Sequence, residues 1–179
     1  MKHSPTISKV SQAILSKFSN GAELTEKFHN LVRQSIDEVV DTPRTGRTSL
    51  SELEKTEKTY IGTKVEILTR SMLGLVKGKK LDLKVADTEV DIKFTIGNTW
   101  MIPMEAFGEI CLLIYGNEKS GTFGVGLLKM TPGNLTKRAN RDKKLSVSAR
   151  GKKNIVWLAH AGLLTASEVL AIKEKHGRK

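Results

Sequence analysis

The sequence predicts an α/β fold in which helices precede a strand-rich core. Apolar residues recur at helical spacing through residues 7–39 and 61–72. Residues 81–95 then alternate between polar and apolar side chains, which is typical of half-buried strands. Residues 110–115 are continuously apolar, as expected for a central strand that is buried on both faces. Further strands are predicted over residues 122–130 and 155–158.

The ends of the predicted helices carry recognisable polar signals. Residues 20–21, Asn-Gly, are expected to stop the first helix. Pro43 is expected to end the second, because proline disfavours helical backbone at the residue before it. Ser51 and Glu54 have the spacing of a capping box, which predicts the start of a third helix at this point.

The alternating run carries an acidic face. Asp91 and Lys93 share one face of its second strand, while Val90 and Ile92 lie on the other, and Asp82 adds a carboxylate on the preceding strand. Alternate residues of a strand lie about 6–7 Å apart. This spacing suits carboxylates that hold a hard divalent cation beside an ammonium group. The alternative is a solvated outer face, for which alternating charges are also typical.

A further acidic candidate lies on the third helix. Glu66 shares a polar stripe with Thr59, Gly62 and Arg70, away from the apolar seam of that helix. A single glutamate on a polar helix face is normally solvated. Its role therefore depends on whether this stripe faces the acidic strands.

The composition excludes several classes of protein. A chain of 179 residues with 39% hydrophobic residues is expected to form one domain with a proper core. No run is long and apolar enough to predict a membrane span, and residues 1–5 do not lead into a signal-peptide core. Cys111 is the only cysteine, so disulfides and thiolate zinc sites are excluded and a cytoplasmic location is predicted. The four histidines lack metal-ligand spacing.

The positive charge is concentrated in the last third of the chain. The net charge is +11, and residues 129–179 hold 13 Lys and Arg against 3 Asp and Glu. Such an asymmetry indicates a polyanionic partner, for which nucleic acid is the expected class.

Two predicted loops carry candidate DNA contacts. The longer one, residues 131–153, is called the basic segment below; asparagine and arginine side chains suit base edges, and lysines suit phosphates. The shorter loop, residues 44–48, has two arginines around a glycine. The candidate contacts are Arg44, Arg47, Asn134, Lys137, Arg138, Asn140, Arg141, Lys143, Lys144 and Arg150.

Helices followed by a hairpin with Asp82 and the triplet Asp91-Ile92-Lys93 resemble the PD-(D/E)XK nuclease fold. The flanking sequence is similar to the endonuclease domain of the NaeI restriction enzyme family over roughly residues 40–158. The runs that carry this resemblance are RTGR at 44–47, KTEKTYIGT at 55–63, VDIKF at 90–94, WMIPMEA at 100–106 and CLL at 111–113.

The resemblance implies a central mixed sheet of about five strands flanked by helices, and a Mg²⁺-dependent type II restriction endonuclease that cuts double-stranded DNA. The family's Glu, Asp, Asp and Lys correspond here to Glu66, Asp82, Asp91 and Lys93. Asp82, Asp91 and the backbone carbonyl of Ile92 are the expected metal ligands. A homodimer is expected, because a two-fold axis supplies one active site for each DNA strand.

One nuclease domain is predicted over residues 1–179, with N-terminal helices at 1–40, a catalytic core at 41–158 and a C-terminal basic helix at 159–179. The second, effector-binding DNA domain of NaeI is not expected in this sequence, and neither is activation by a second DNA site. Two alternatives stay open. One is a DNA-nicking nuclease of the repair or transposition type, and the other is a DNA-binding module without catalysis.

Overall fold

A mixed five-stranded sheet forms the centre of the structure, a computed structural model that describes residues 4–167. The strands are β1 Leu83–Val85, β2 Thr88–Thr95, β3 Met101–Ile102, β4 Ile110–Asn117, β5 Thr122–Lys129, β6 Leu145–Ser146 and β7 Val156–Leu163. The main sheet has the order β1-β2-β4-β5-β7, and β3 pairs with β6 in a separate two-stranded sheet. β2 and β4 are parallel, whereas the other neighbouring strands are antiparallel. The predicted α/β class and the mixed five-stranded sheet are thus confirmed.

Helices flank this sheet and come first in the chain. They are α1 Pro5–Leu15, α2 Gly21–Val40, α3 Thr42–Thr45, α4 Lys55–Leu73 and, much later, α5 Ala149–Lys153. Single 3-10 turns lie at Leu50–Glu52, Met104–Ala106 and Pro132–Asn134. Within residues 4–167, no helix is long and apolar enough to cross a membrane.

Two apolar cores lie on opposite faces of the sheet. Val90 and Ile92 of β2 pack into the larger core with the apolar faces of α1, α2 and α4. Cys111 and Leu113 of β4 belong to the smaller core, which the segment around β3, β6 and α5 covers. Asp91 is paired with Cys111. Because side chains alternate along a strand, the polar residues of β2 lie on the face of the smaller core.

The helix boundaries differ from the predicted ones where polar residues have another partner. The side chain of Asn20 accepts a hydrogen bond from the backbone N–H of Glu23, so Asn20 begins α2 rather than ending α1. The predicted Ser51–Glu54 capping box is wrong. Glu54 instead caps α4 reciprocally with Glu57, three residues later.

The basic segment is more ordered than the predicted loop. Leu135 forms a bridge with Val147, and β6 pairs with β3. These contacts tie both ends of the segment to the smaller core, because both of its bridged residues are buried there. Both ends of the basic segment are thus anchored, and its positively charged tip extends from them.

The end of the sheet also differs from the prediction. β7 continues to Leu163, so residues 159–163 are strand and not the start of the predicted C-terminal helix. The physical reason is that β7 pairs with β5 over this length. The hydrophobic pattern of a short apolar run does not show how far such pairing extends. The rest of that predicted helix, from residue 168 onwards, lies outside the described residues.

Candidate active site

Two carboxylates and an ammonium group meet on β2 and the residues before β1. Oδ2 of Asp82 accepts a hydrogen bond of 2.8 Å from the backbone N–H of Ile92, which fixes the first acid against β2. Nζ of Lys93 lies 2.7 Å from Oδ2 of Asp91. Asp91 is only 4% exposed. The hairpin therefore brings all three predicted side chains together, as their alternation predicted.

The stripe of α4 that contains Glu66 faces these strands. Thr59, Gly62 and Glu66 line a cleft of about 580 Å³ together with Ile92 and Lys93. The polar stripe of this helix therefore faces the acidic strands, which the sequence alone did not determine.

An arginine on the same helix stripe connects Glu66 to the first acid. Nη1 of Arg70 lies 3.5 Å from Oε1 of Glu66 and donates a hydrogen bond of 3.4 Å to the backbone carbonyl of Asp82. Arg70 thus links Glu66 of α4 to the backbone at Asp82.

Another acid of the hairpin, Glu89, has a structural role. Its carboxylate accepts hydrogen bonds from the backbone N–H groups of Lys79, Lys80 and Leu81, at 2.7–3.1 Å. These bonds, that of Leu81 first, lower the pKa of Glu89. Glu89 thus orders the chain that leads to Asp82 and takes no part in the cleft.

Negative charge in this site is only partly compensated. Burial, followed by the neighbouring Asp82 carboxyl, raises the pKa of Asp91 to about 7, although Lys93 opposes the shift. Burial and then the charge of Asp82 also raise the pKa of Glu66. Burial disfavours the charged form of Lys93, but its contact with Asp91 outweighs this effect and raises the pKa of the ammonium. Perturbed pKa values of this kind are typical of functional sites.

The raised pKa of Asp91 predicts a pH-dependent stability. In the unfolded chain Asp91 ionises near pH 3.8, so between that pH and about 7 the folded state holds a proton that the unfolded state releases. The contribution of Asp91 to the free energy of unfolding therefore falls as the pH rises to about 7. Asp91→Asn lacks this contribution, so we expect its stability relative to the wild type to increase from pH 5 to pH 8. Denaturant titrations in chelator at both pH values measure it, and a pH-independent difference would contradict the shift.

Basic residues surround the cleft from two directions. Lys55 and Lys58 of α4 line it, as does Lys144 from the tip of the basic segment, although Glu105 adds one negative charge. Lys144 was among the predicted DNA contacts. Lys55 and Lys58 were missed, although they continue the helical stripe of Thr59, Gly62 and Glu66 that the sequence already showed.

Most other predicted contacts of the basic segment are exposed at its tip. A turn centred on Asn140 shapes this tip, because Oδ1 of Asn140 accepts the backbone N–H groups of Asp142 and Lys144 at 3.0 and 2.8 Å. The carbonyl end of Asn140 is therefore used in the turn. The exposed members of the predicted set are Lys137, Arg138, Asn140, Arg141, Lys143, Lys144 and Arg150.

Asn134 has a structural role instead of the predicted base contact. Its Nδ2 donates to the backbone carbonyl of Lys129 at 2.9 Å, and its Oδ1 accepts from Nδ2 of Asn154 at 2.8 Å. Because both ends of the carboxamide bond within the protein, we assign Asn134 to the anchoring of the basic segment.

The arginines of the 44–48 segment are engaged with acids and do not line the cleft. Arg44 forms an exposed ion pair with Asp41, 2.7 Å long. Nη1 of Arg47 donates to both carboxylate oxygens of Glu57 at 2.8 and 2.9 Å. Arg47 thereby links this segment to the first turn of α4.

Comparison with known proteins places the chain in a family. The family model described as restriction endonuclease NaeI matches residues 9–178 of the chain. The chain belongs to the NaeI restriction endonuclease family. The type II restriction enzyme NaeI of Lentzea aerocolonigenes is 36% identical over 141 residues, which cover 77% of this chain and 44% of that enzyme. The chain thus spans less than half the length of this curated relative.

Membership of the NaeI family implies a divalent metal ion, and the donor chemistry fits one in part. Within residues 4–167, no three His, Cys, Asp or Glu side chains converge as a complete ligand cluster. Asp82 and Asp91 are hard oxygen donors beside one another, and Ile92, whose carbonyl is the third candidate, lines the cleft. Burial, and then the neighbouring Asp82 carboxyl, raises the pKa of Asp91, so a bound cation would stabilise the ionised form of this carboxylate. Two carboxylates with water are a usual ligand set for Mg²⁺.

Proposed function

We propose that this protein is a type II restriction endonuclease that hydrolyses phosphodiester bonds of double-stranded DNA at specific sites, with Mg²⁺ as cofactor. The observation that carries the proposal is the contact of Lys93 with buried Asp91, beside Asp82 and in the same cleft as Glu66. Membership of the NaeI family supports it. We also infer a cytoplasmic location, because the single cysteine requires no oxidising compartment.

The residues of the cleft divide into groups that hold the metal and groups that act on the phosphate. Asp82, Asp91 and the carbonyl of Ile92 would hold Mg²⁺, which when bound polarises a phosphate oxygen and activates water. Lys93 would donate a hydrogen bond to the reacting phosphate and stabilise the negative charge that develops on it. Glu66 would accept a hydrogen bond from the attacking water, and burial raises the pKa of its carboxyl.

The lysines around the cleft would hold the phosphates that flank the reacting one. Lys55 and Lys58 approach from α4 and Lys144 from the basic segment. Phosphoryl transfer depends mainly on position and electrostatics, so this surrounding charge serves both binding and catalysis. Arg138 and Arg141 are the proposed readers of base edges, since arginine is the usual partner of guanine.

Cleavage of plasmid and genomic DNA tests the proposed function directly. The protein is incubated with each DNA in Mg²⁺, with and without chelator, and the fragment ends are sequenced. We expect discrete ends that share a sequence, and no cleavage in chelator. Linear product from a supercoiled plasmid distinguishes a restriction enzyme from a nicking nuclease, which would leave an open circle. Binding without cleavage in Mg²⁺ and Mn²⁺ would instead favour the non-catalytic module.

We further propose that the protein acts as a homodimer. Cutting both strands of a duplex at one site is simplest with two active sites that are related by a two-fold axis. Sedimentation of the protein bound to a short cognate duplex tests this proposal. Two protein chains per duplex are expected, and a 1:1 complex that cuts both strands would contradict the dimer.

Loss of a cleft lysine should weaken binding to all DNA sequences. For Lys144→Ala we expect lower affinity for cognate and random duplexes alike, because phosphate contacts carry no base information. The log–log slope of affinity against salt should fall by about one unit for this contact. Lys9→Ala is the matched control, since Lys9 is an exposed lysine on α1. Equal slopes for the wild type and Lys144→Ala would show that Lys144 does not touch phosphate.

A further inference from the structure

A second pocket, lined by aromatic rings, lies beyond the carboxyl ends of β2 and β4. It measures about 440 Å³, within the usual range for small-ligand sites, and Trp100, Tyr115, Trp157 and His160 line it. Trp100 and Trp157 are the two tryptophans of the chain. We call it the aromatic pocket. None of its four rings takes part in the active site described above.

Irregular pairing of β7 places two of these rings together. Trp157 and His160 are three residues apart and would lie on opposite faces of a regular strand. Between them, Leu158 and Ala159 both pack on the larger core, where the β5–β7 register shifts. As a result, the rings of Trp157 and His160 stack with centroids 4.2 Å apart and planes 14° apart. Bulges of this kind re-aim side chains and are frequent near functional sites.

Further contacts hold the rings in place. The backbone N–H of Ala161, a residue at φ +51°, donates to the hydroxyl of Tyr115 at 3.2 Å. Nε1 of Trp100 donates to the carbonyl of Ile114 at 2.8 Å. A Cβ atom at Gly124 would lie 2.5 Å from the ring of Tyr115. The glycine thus permits the close approach of the ring to β5, and the pocket is preorganised.

A groove connects the aromatic pocket to the active-site cleft. This middle groove shares Lys58 and Ile96 with the cleft, and shares Gly97, Asn98 and Asn117 with the aromatic pocket. The path therefore runs from the active-site cleft past Lys58 to the amide side chains of Asn98 and Asn117 beside the rings. Charged, polar and aromatic side chains in this order are complementary to a nucleotide strand, which presents phosphates and bases to a protein.

We propose that the aromatic pocket binds a single unpaired base of the DNA strand whose backbone follows the connecting groove; this rests on DNA being the ligand of the proposed function. Bases stack on aromatic rings with little sequence preference. Asn98 and Asn117 supply donors and acceptors for the edge of the base. Lys152, which also lines the pocket, supplies positive charge for the adjoining phosphate. A paired base remains stacked in its duplex, so only an extruded or single-stranded base reaches such a pocket.

Tryptophan fluorescence tests this proposal without any cleavage, because both tryptophans line the pocket. The wild-type protein is titrated in chelator with a short single strand that carries one 2-aminopurine, and with the same strand carrying an abasic position there. We expect quenching of both tryptophan and 2-aminopurine emission with the first strand. The abasic strand should quench tryptophan emission less.

His160→Ala is the informative variant, because His160 is exposed and its removal does not open either core. We expect it to weaken binding of the 2-aminopurine strand about tenfold. Tyr60→Ala removes an exposed aromatic ring on α4, outside the pocket, and should bind as the wild type does. Unchanged melting temperatures confirm that both variants fold.

Three results would overturn the proposal: no binding of the strand, binding without a change in tryptophan emission, or equal affinity of His160→Ala and the wild type. Each would show that the ring cluster only supports β5 and β7. Duplex cleavage is measured separately. Duplex cleavage without base-dependent quenching would support the proposed function and contradict base binding in the aromatic pocket. Base-dependent quenching without duplex cleavage would support base binding in the pocket and contradict the proposed function.

Discussion

Asp91→Asn should reduce DNA cleavage by about 10³-fold or more and leave DNA affinity intact or higher. The substitution keeps the size of the side chain but removes the carboxylate that contacts Lys93 at 2.7 Å. Cleavage falls because an uncharged amide is a poor ligand for a divalent cation. Affinity without metal is kept, because a buried carboxylate repels phosphate until a cation intervenes.

Asp87→Asn is the matched control for this experiment. Asp87 lies in the turn of the same hairpin, and its side chain is 85% exposed and forms an ion pair with Lys84. Its positive φ of 65° is tolerated by asparagine as well as by aspartate. Single-turnover cleavage and filter binding in chelator measure the two effects. Normal cleavage by Asp91→Asn would mean that the Asp91 carboxylate takes no part in catalysis.

Gly151→Ala should lower the free energy of unfolding by about 1–3 kcal/mol. A Cβ atom at this position would overlap the backbone carbonyl of Asn134 and press on Val147. Neither neighbour can move freely, because the same carbonyl accepts the N–H of Ser148 at 2.9 Å and Val147 is buried. The substitution therefore separates α5 from the turn that anchors the basic segment.

Gly133→Ala provides the comparison within the same segment. No atom lies within 4 Å of a Cβ built at Gly133, so we expect its unfolding free energy to stay within about 0.5 kcal/mol of the wild type. Denaturant titration measures both variants. We also expect weaker DNA binding by Gly151→Ala than by Gly133→Ala, because Lys144 depends on this anchor for its position. Equal stability of the two variants would show that the segment accommodates the added methyl group without a loss in the free energy of unfolding.

Local pattern was sufficient for the part of the site that lies on one hairpin. Asp91 and Lys93 had to share a face of β2 because side chains of a strand alternate. Asp82 followed, since β1 and β2 pair as neighbouring antiparallel strands. The same locality explains why the α/β class could be predicted from the chain order of helical and alternating runs.

Contacts between distant elements were beyond the sequence pattern. Asparagine is a residue type that often contacts base edges, but the hydrogen bonds of Asn134 to Lys129 and Asn154 depend on how the basic segment folds back. The aromatic pocket likewise depends on the register shift between β5 and β7, and the sequence of β7 does not show where that shift falls. The Asn134–Asn154 bond and the β5–β7 pairing both join residues that lie far apart along the chain.

The sequence by itself determined the alternating acidic hairpin, the order of elements and the concentration of positive charge in the last third of the chain. Only the tertiary structure decided that Glu66 faces Asp82 and that Lys55, Lys58 and Lys144 border the same cleft. The physical reason is that periodicity defines which residues share a face within one element. The packing of α4 and of the basic segment against the sheet then selects which faces meet.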